Sequence, residues 1–311
     1  MAVVGATATG KSGLGVQLAR RLGGEVVGAD ASQLYRGMDI GTAKLTSDER
    51  DGVPHHQLDV LDVTEEASVA GYQRHARADL DDVVRRGGLP LVVGGSGLYV
   101  RAVLDRLDIP PTDPDVRRAL EHRAEQEGTS ALHDELARAD PDAASAIERN
   151  NTRRVVRALE VLALTGRPFS ASMPRRELVR PAVVVGLRVA RDVLDERIEH
   201  RTRRMFRSGL VEETEELARR GLREGRTASR AVGYAQALAV LDGTMRPDEA
   251  VADTALRTRR LVRRQESWFG ADPRIVWLDA LDARLLDHAL AAVETARSEQ
   301  RYPGWDDGSH G

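Results

Sequence analysis

The first candidate chemistry in this 311-residue chain lies at its start, in Gly5-Ala6-Thr7-Ala8-Thr9-Gly10-Lys11-Ser12. The pattern is a glycine, four residues, then glycine, lysine and serine. In such a loop the backbone N–H groups converge on phosphate oxygens, and the N-terminus of the following helix adds a favourable dipole. Lys11 brings a full positive charge, and the Ser12 hydroxyl can reach Mg2+. Lysine is otherwise almost absent: of 46 basic residues only Lys11 and Lys44 are lysine. A compact ammonium suits a tight phosphate cradle that a planar guanidinium does not. The loop announces a di- or triphosphate, but not what is done to it.

An acid near such a loop narrows the choice. Most P-loop ATPases and GTPases hold Mg2+ with a carboxylate at the end of a very apolar strand. Here the best such strand, Leu91-Val92-Val93, runs into Gly94-Gly95-Ser96-Gly97 without one. Asp30 instead follows the strand Glu25–Ala29, where the carboxyl ends of parallel strands meet and ligands bind. A carboxylate there could accept a proton from an incoming nucleophile, or simply cap the next turn. Three helices carry all-basic faces: Arg153, Arg154 and Arg157; Arg197, Arg201 and Arg204; and Arg257, Arg260 and Arg264 with Arg259 and Arg263 beside them. Singly, each reads as a solvated face; together, in a chain of net charge −3, they point to a polyanion such as nucleic acid. His55-His56 lack metal-site spacing, and Tyr35, Tyr99, Tyr234 and Trp268 could stack a base, although isolated aromatics are more often core.

The elements that must hold these residues alternate. Ala2–Val4, Glu25–Ala29, Leu89–Val93, Pro181–Val189 and Arg274–Leu278 read as strands, with a further strand at Gln57–Val60. Ser12–Leu22 and Val69–Arg86 have helical periodicity. This is an α/β protein with a P-loop NTPase-like parallel sheet flanked by helices. Between about 110 and 180 the alternation stops, and helices are expected at Val116–Glu127, Ser130–Ala139, Pro141–Ile147 and Asn151–Leu164. The division is therefore a core of 1–110 and 181–311 with a helical insertion at 111–180. Helices also follow at Asp192–Ser208, Val211–Arg220, Ala231–Asp242 and Pro247–Phe269, and Tyr302–Gly311 is expected to fray. Composition is that of a soluble globular protein, 41% apolar and 31% charged, and no apolar run nears the roughly 20 residues of a membrane span. With no cysteine, thiolate metal sites and cysteine nucleophiles are excluded, and a reducing cytoplasm is the expected setting.

Several separated motifs resemble the bacterial tRNA dimethylallyltransferases (isopentenyl-diphosphate:tRNA transferases). They are Gly5–Ser12, Asp30–Lys44 (DASQLYRGMDIGTAK), Leu91–Leu104 (LVVGGSGLYVRAVL), Asn150–Val161 (NNTRRVVRALEV), Val232–Tyr234 (VGY) and Arg263–Phe269 (RRQESWF). The resemblance implies transfer of a dimethylallyl group from dimethylallyl diphosphate to N6 of the tRNA adenosine beside the anticodon, position thirty-seven. It implies that the diphosphate sits on Gly5–Ser12 with Mg2+ on Ser12, that Thr7 donates to the bridging oxygen, that Arg201 grips the diphosphate, and that Asp30 takes the N6 proton. Contacts to the tRNA anticodon stem-loop would come from Asp30, Ala31, Ser32, Gln33, Ser96, Arg117, Arg153, Arg154, Arg157, Arg230, Gly233 and Tyr234, and the enzyme would be a monomer. Two departures are visible: Ala31 stands where the family usually has Ser, and Ser96 where it usually has Thr. The competing readings are a small-molecule P-loop kinase, with Asp30 orienting the acceptor hydroxyl and ATP as donor, and an NTP-dependent RNA-binding switch.

Overall fold

The computed structural model describes residues 1–172 and 176–298, so the expected fraying of Tyr302–Gly311 lies outside the described residues. The strands form one sheet whose inner members are short apolar runs buried on both sides, the pattern of a parallel sheet covered by helices, while its edges are partly exposed. They are β1 (Ala2–Gly5), β2 (Gly24–Gly28), β3 (His55–His56), β4 (Leu89–Gly94), β5 (Val184–Arg188) and β6 (Ile275–Asp279). All pair in parallel, in the order β3-β2-β4-β1-β5-β6. β1 is central and wholly buried, with Val3 level with Val93 on one side and Val185 on the other. The phosphate loop therefore leaves the middle of the sheet.

Helices cover both faces. On one, α1 (Lys11–Leu22) and α12 (Leu285–Ser298) bring Leu14, Leu18, Ala289 and Val293 to a core shared with Val3, Val93 and Val185. On the other, α8 (Arg191–Arg207) and α11 (Pro247–Gly270) pack Leu194, Ile198, Ala255 and Val262 around Ala6 of the loop. α2 (Val69–Arg85) reaches the sheet through Tyr72, whose hydroxyl donates to Gly28 O at 2.8 Å, and its ring lies 4.4 Å from that of Tyr99 in α3 (Gly97–Leu104). α9 (Leu210–Arg219) and α10 (Tyr234–Leu241) share a separate cluster with Tyr35, Met38 and Val63. Among the described residues no helix is long and apolar enough to cross a membrane.

The chain divides into two compact units, Asp105–Val179 and the remainder, so the helical unit's ends differ slightly from 111 and 180. Asp105 bridges Leu178 in antiparallel fashion and Arg106 N donates to Glu177 O at 2.7 Å, which closes the unit's two strands of entry. Inside it are α4 (Pro114–Glu127), α5 (Thr129–Ala139), α6 (Pro141–Ala146) and α7 (Thr152–Thr165). The starts are explained by caps: Asp113, Asp140 and Asn151 each accept backbone N–H groups of the first turn. Leu132, Leu136, Val155 and Leu159 form its core.

Two expected elements are corrected. No strand spans Gln57–Val60; the strand is His55–His56, and Gln57 and Asp59 adopt φ of 57°. Polar anchoring bends them: Gln57 donates to Asp79 and Asp59 accepts from Lys44. The helix expected from Ala231 begins only at Tyr234, because Gly233 sits at φ 97°, outside helical space. α3 and α12 were not anticipated; α3 is short, and glycines precede it.

Glu160 supplies a stability test for the helical unit. Its side chain is 0% exposed and accepts from Arg117 (2.8 Å), Arg157 (2.8 Å), Thr112 (2.8 Å) and Asp113 N (3.0 Å). Burial pushes its pKa up, but these donors together outweigh burial and hold it at about 2. A carboxylate depressed in the folded state stabilises above its unfolded pKa, about 4.3, and loses that contribution as pH falls toward its folded value. Glu160→Gln is expected to cost about 3 kcal/mol at neutral pH. In urea unfolding, the gap between variant and parent should narrow as pH falls below about 4. A gap independent of pH would show that the charge is not what Glu160 contributes.

Candidate active site

The site is assembled where the central strands end. After β1 the chain turns through Ala6–Thr9, and Gly10, at φ 91°, opens α1 without a side-chain cap. The first-turn N–H groups of α1 are thus left for an anion. Ala8 also has positive φ, 66°, an unusual conformation for a residue with a Cβ and one that marks a tightly determined loop. Thr9 Oγ1 donates to Ala6 O at 2.8 Å, and Lys11 Nζ donates to the same oxygen at 2.6 Å. Burial pushes the Lys11 ammonium down to about 8, opposed by Asp30 and reinforced by Arg201.

Thr7 is held from two sides. Its N–H donates to Gln265 Oε1 at 2.9 Å, and Arg201 Nη2 donates to its hydroxyl oxygen at 2.9 Å. Arg201 comes from the middle of α8, where burial lowers its pKa and Asp30 raises it. Since Arg201 occupies a lone pair of Thr7 Oγ1, the single O–H proton of Thr7 remains for another acceptor.

Asp30 follows β2, and its loop is stitched to the loop after β4. Ala29 N donates to Val93 O (2.8 Å), Ser96 N to Ala29 O (3.1 Å) and Ala31 N to Ser96 Oγ (3.2 Å). The hydroxyl of Ser96 therefore does its work at the backbone of residue 31, where the change from Ser to Ala removes nothing it needs. Asp30 Oδ1 accepts from Ser32 N at 3.0 Å, so the turn-capping reading of Asp30 is correct. Its other oxygen takes no hydrogen bond among the described residues, which leaves it able to act as a base. Asp30, Lys11 and Arg201 share one electrostatic field, because the Asp30 charge acts on both cations.

Beside the loop, Ala8, Arg197, His200, Arg201 and Arg204 line an open cleft of about 460 Å³. Ser12 lines a cavity of about 30 Å³ with Gln33, His55 and His56. Among the described residues no group of three or more His, Asp or Glu side chains could hold a metal. The donor set nevertheless fits Mg2+ of one kind: an ion that keeps waters and phosphate oxygens and takes one hydroxyl, Ser12, from the protein. His55 donates to Val53 O and His56 pairs with Glu25 at 2.6 Å, both structural roles.

The residues expected to meet RNA divide into two kinds. Arg153, Arg154 and Arg230 are exposed, as are Arg263 and Arg264 on α11, and none has a side-chain hydrogen bond or ion pair among the described residues; Arg260, also exposed, acts electrostatically on Asp253. Arg117 and Arg157 already bind Glu160, Arg257 binds Asp253, and Arg259 lies at Asp195 and Glu199. Tyr234 is 0% exposed: its hydroxyl donates to Glu213 at 2.6 Å and accepts from Gly41 N at 3.2 Å. It cannot stack a base, and neither can Tyr35, which is equally buried; Gly233 is buried too. Their work is to fix the segment 33–44. Lys44 does the same from inside, donating to Tyr35 O (2.9 Å), Asp39 (2.6 Å) and Asp59 (2.6 Å). Trp268 alone of the four aromatics is substantially exposed. Gln265 was missed as a site residue; its signal was a polar, uncharged side chain on the apolar side of an Arg-rich helix.

The pKa of Lys11 yields a test. An anion in the loop favours the ammonium, so affinity is full while Lys11 is protonated and declines as pH rises through about 8. Titration of inorganic diphosphate with Mg2+ should show this decline relative to Lys11→Met, which should bind weakly throughout. Lys11→Arg should not restore binding, because the guanidinium is bulkier than the cradle. Equal affinity of parent and Lys11→Met at all pH would place the phosphate elsewhere.

Comparison with known proteins agrees across nearly the whole chain. The family model described as IPP transferase matches residues 33–272. A tRNA dimethylallyltransferase of Kineococcus radiotolerans is 60% identical over 288 residues, 91% of each chain. One of Streptomyces coelicolor is 59% identical over 278 residues, 89% of each. The crystal structure of a tRNA isopentenylpyrophosphate transferase from Bacillus halodurans aligns with a TM-score of 0.70 at 40% identity, covering 97% of this chain and 98% of that one. A eukaryotic dimethylallyltransferase at 24% identity shares the fold, with a TM-score of 0.80 over 98% of this chain and 80% of its own. The chain belongs to the IPP transferase family, the family of the tRNA dimethylallyltransferases.

Proposed function

We propose that this tRNA prenyltransferase moves a dimethylallyl group from dimethylallyl diphosphate to N6 of the adenosine beside the anticodon, position thirty-seven. The observation that carries the reading is the pairing of a phosphate loop with Asp30, a carboxylate that has an unused oxygen and shares the field of Lys11 and Arg201. A phosphate cradle suits a diphosphate leaving group. Breaking the allylic carbon–oxygen bond puts its electron pair on the diphosphate, and donors already in place for that charge lower the barrier. Lys11, the α1 N-terminus and Arg201 are those donors, and Thr7 has its O–H proton to give to the bridging oxygen. Mg2+ held through Ser12 would neutralise part of the diphosphate charge when bound.

The acceptor side calls for a base. The exocyclic amine of adenine is a weak nucleophile that becomes cationic as it attacks, and Asp30 would orient it and take the proton. The base must leave the loop stack to arrive, as in other base-modifying enzymes. On the RNA side, Arg153 and Arg154 stand in the first turn of α7, where the helix dipole disfavours cations. That cost to the helix makes sense if phosphates offset it on binding.

The test is to incubate the protein with unmodified tRNA, labelled dimethylallyl diphosphate and Mg2+. Label should enter the anticodon arm at one adenosine. Transfer of phosphate from ATP to a small acceptor, with no label in RNA, would show a kinase. Arg153→Ala with Arg154→Ala should weaken tRNA binding across sequences and reduce the slope of log affinity against log salt by about 2. Affinity for inorganic diphosphate should stay at the parent value. An unchanged salt slope would remove these arginines from the RNA interface.

A further inference from the structure

We infer that Gln265 is a positioning residue that locks the donor side of the site to the acceptor side, so that the allylic carbon is met by the amine and not by water. The inference rests on the proposed function. Gln265 stands in α11, 8% exposed, and its amide is used at both ends. Oε1 accepts from Thr7 N at 2.9 Å, and Nε2 donates to Gly95 O at 2.9 Å. The two partners belong to different loops: Thr7 to the phosphate loop after β1, Gly95 to the turn after β4. That turn continues to Ser96, whose backbone and hydroxyl hold Ala29 and Ala31 on either side of Asp30. One side chain thus connects the residue that would donate to the leaving oxygen with the residues that place the base.

The geometry also says what Gln265 does not do. It consumes the Thr7 N–H, so that group is not a phosphate donor, and Thr7 acts through its hydroxyl. Arg201 meets the same threonine at Oγ1 from α8. Thr7 is therefore clamped by two helices, main chain by α11 and side chain by α8. Strand pairing of β1 with β4 already joins the two loops at their bases, through Val4 and Gly94. Gln265 adds a second tie beyond the strand ends, where the reacting groups lie and the backbone ladder has stopped.

Misalignment has a chemical readout. In both outcomes the allylic carbon–oxygen bond breaks and its electron pair leaves with diphosphate. In transfer, N6 bonds to carbon and its proton passes to Asp30. In the failed event, water bonds to carbon and loses a proton to solvent, giving dimethylallyl alcohol and diphosphate. The ratio of prenylated tRNA to alcohol measures alignment, and it does not depend on how much enzyme is folded.

The experiment compares the parent with Gln265→Met and Gln265→Glu at saturating tRNA, labelled dimethylallyl diphosphate and Mg2+. Gln265→Met keeps the length and loses both hydrogen bonds, and its transfer-to-alcohol ratio should fall by about 100-fold, the scale of an ångström of misplacement. Gln265→Glu can still accept from Thr7 N but cannot donate to Gly95 O, so its ratio should lie between the two. An unchanged ratio in both variants, with activity lost only in proportion to folded protein, would overturn the inference and leave Gln265 a packing residue. A parent enzyme that transfers no label to tRNA would overturn the functional reading and this inference with it.

Discussion

A partly buried ammonium in the field of a carboxylate is the constraint on which the structure turns. Lys11 must be positive when a diphosphate arrives, yet burial weakens its hold on a proton. Asp30 offsets part of that cost across the site, and Ala6 O takes one of its hydrogens. The rest of the core exists to keep these groups in place: a central strand with no exposed side chain, helices on both faces, and loops tied to each other beyond the strand ends. Loosening any of these would leave a buried cation facing the wrong way.

Polar groups inside the core serve the same end. Lys44, Tyr234 and Glu213 hold the segment that runs on from Asp30, and each is satisfied by named partners. Such networks are expensive when half made and specific when complete. In the helical unit Glu160 plays the corresponding part, drawing Arg117 and Arg157 inward. Arg153 and Arg154 on the first turn of α7, and Arg263 and Arg264 on α11, are exposed with no carboxylate in an ion pair among the described residues.

Much of this was legible in the residues. The phosphate loop followed from its spacing, the strands from apolar runs, and the helices of Asp105–Val179 from stretches of helical pattern. Long-range polar pairing was not legible. Glu160 stands three residues after Arg157 on α7, but its burial, and the second arginine that reaches it from α4, Arg117, belong to the fold. Between stacking ring and core residue Tyr234 could not be settled from its type, because burial is a property of the fold and not of the residue; it is core. The segment 57–60 looked like a strand because its apolar residues, Leu58 and Val60, alternate. Gln57 and Asp59, alternating with them, pair with Asp79 and Lys44, 22 and 15 residues away. Gln265 was invisible as a tie because it acts across 258 and 170 residues of sequence.

The division of labour between a loop that holds the leaving group and a carboxylate that serves the acceptor is the centre of the account. It is tested most directly by Asp30→Asn, which keeps the shape and one acceptor while removing charge and basicity. Turnover of tRNA should fall by at least about two orders of magnitude, the low end for a general base. Dissociation constants for dimethylallyl diphosphate and for Mg2+ should stay close to the parent, or tighten slightly as a negative charge is removed near the polyanion. Normal turnover with lost diphosphate or Mg2+ binding would contradict the account, because Asp30 would then serve the metal and not the amine.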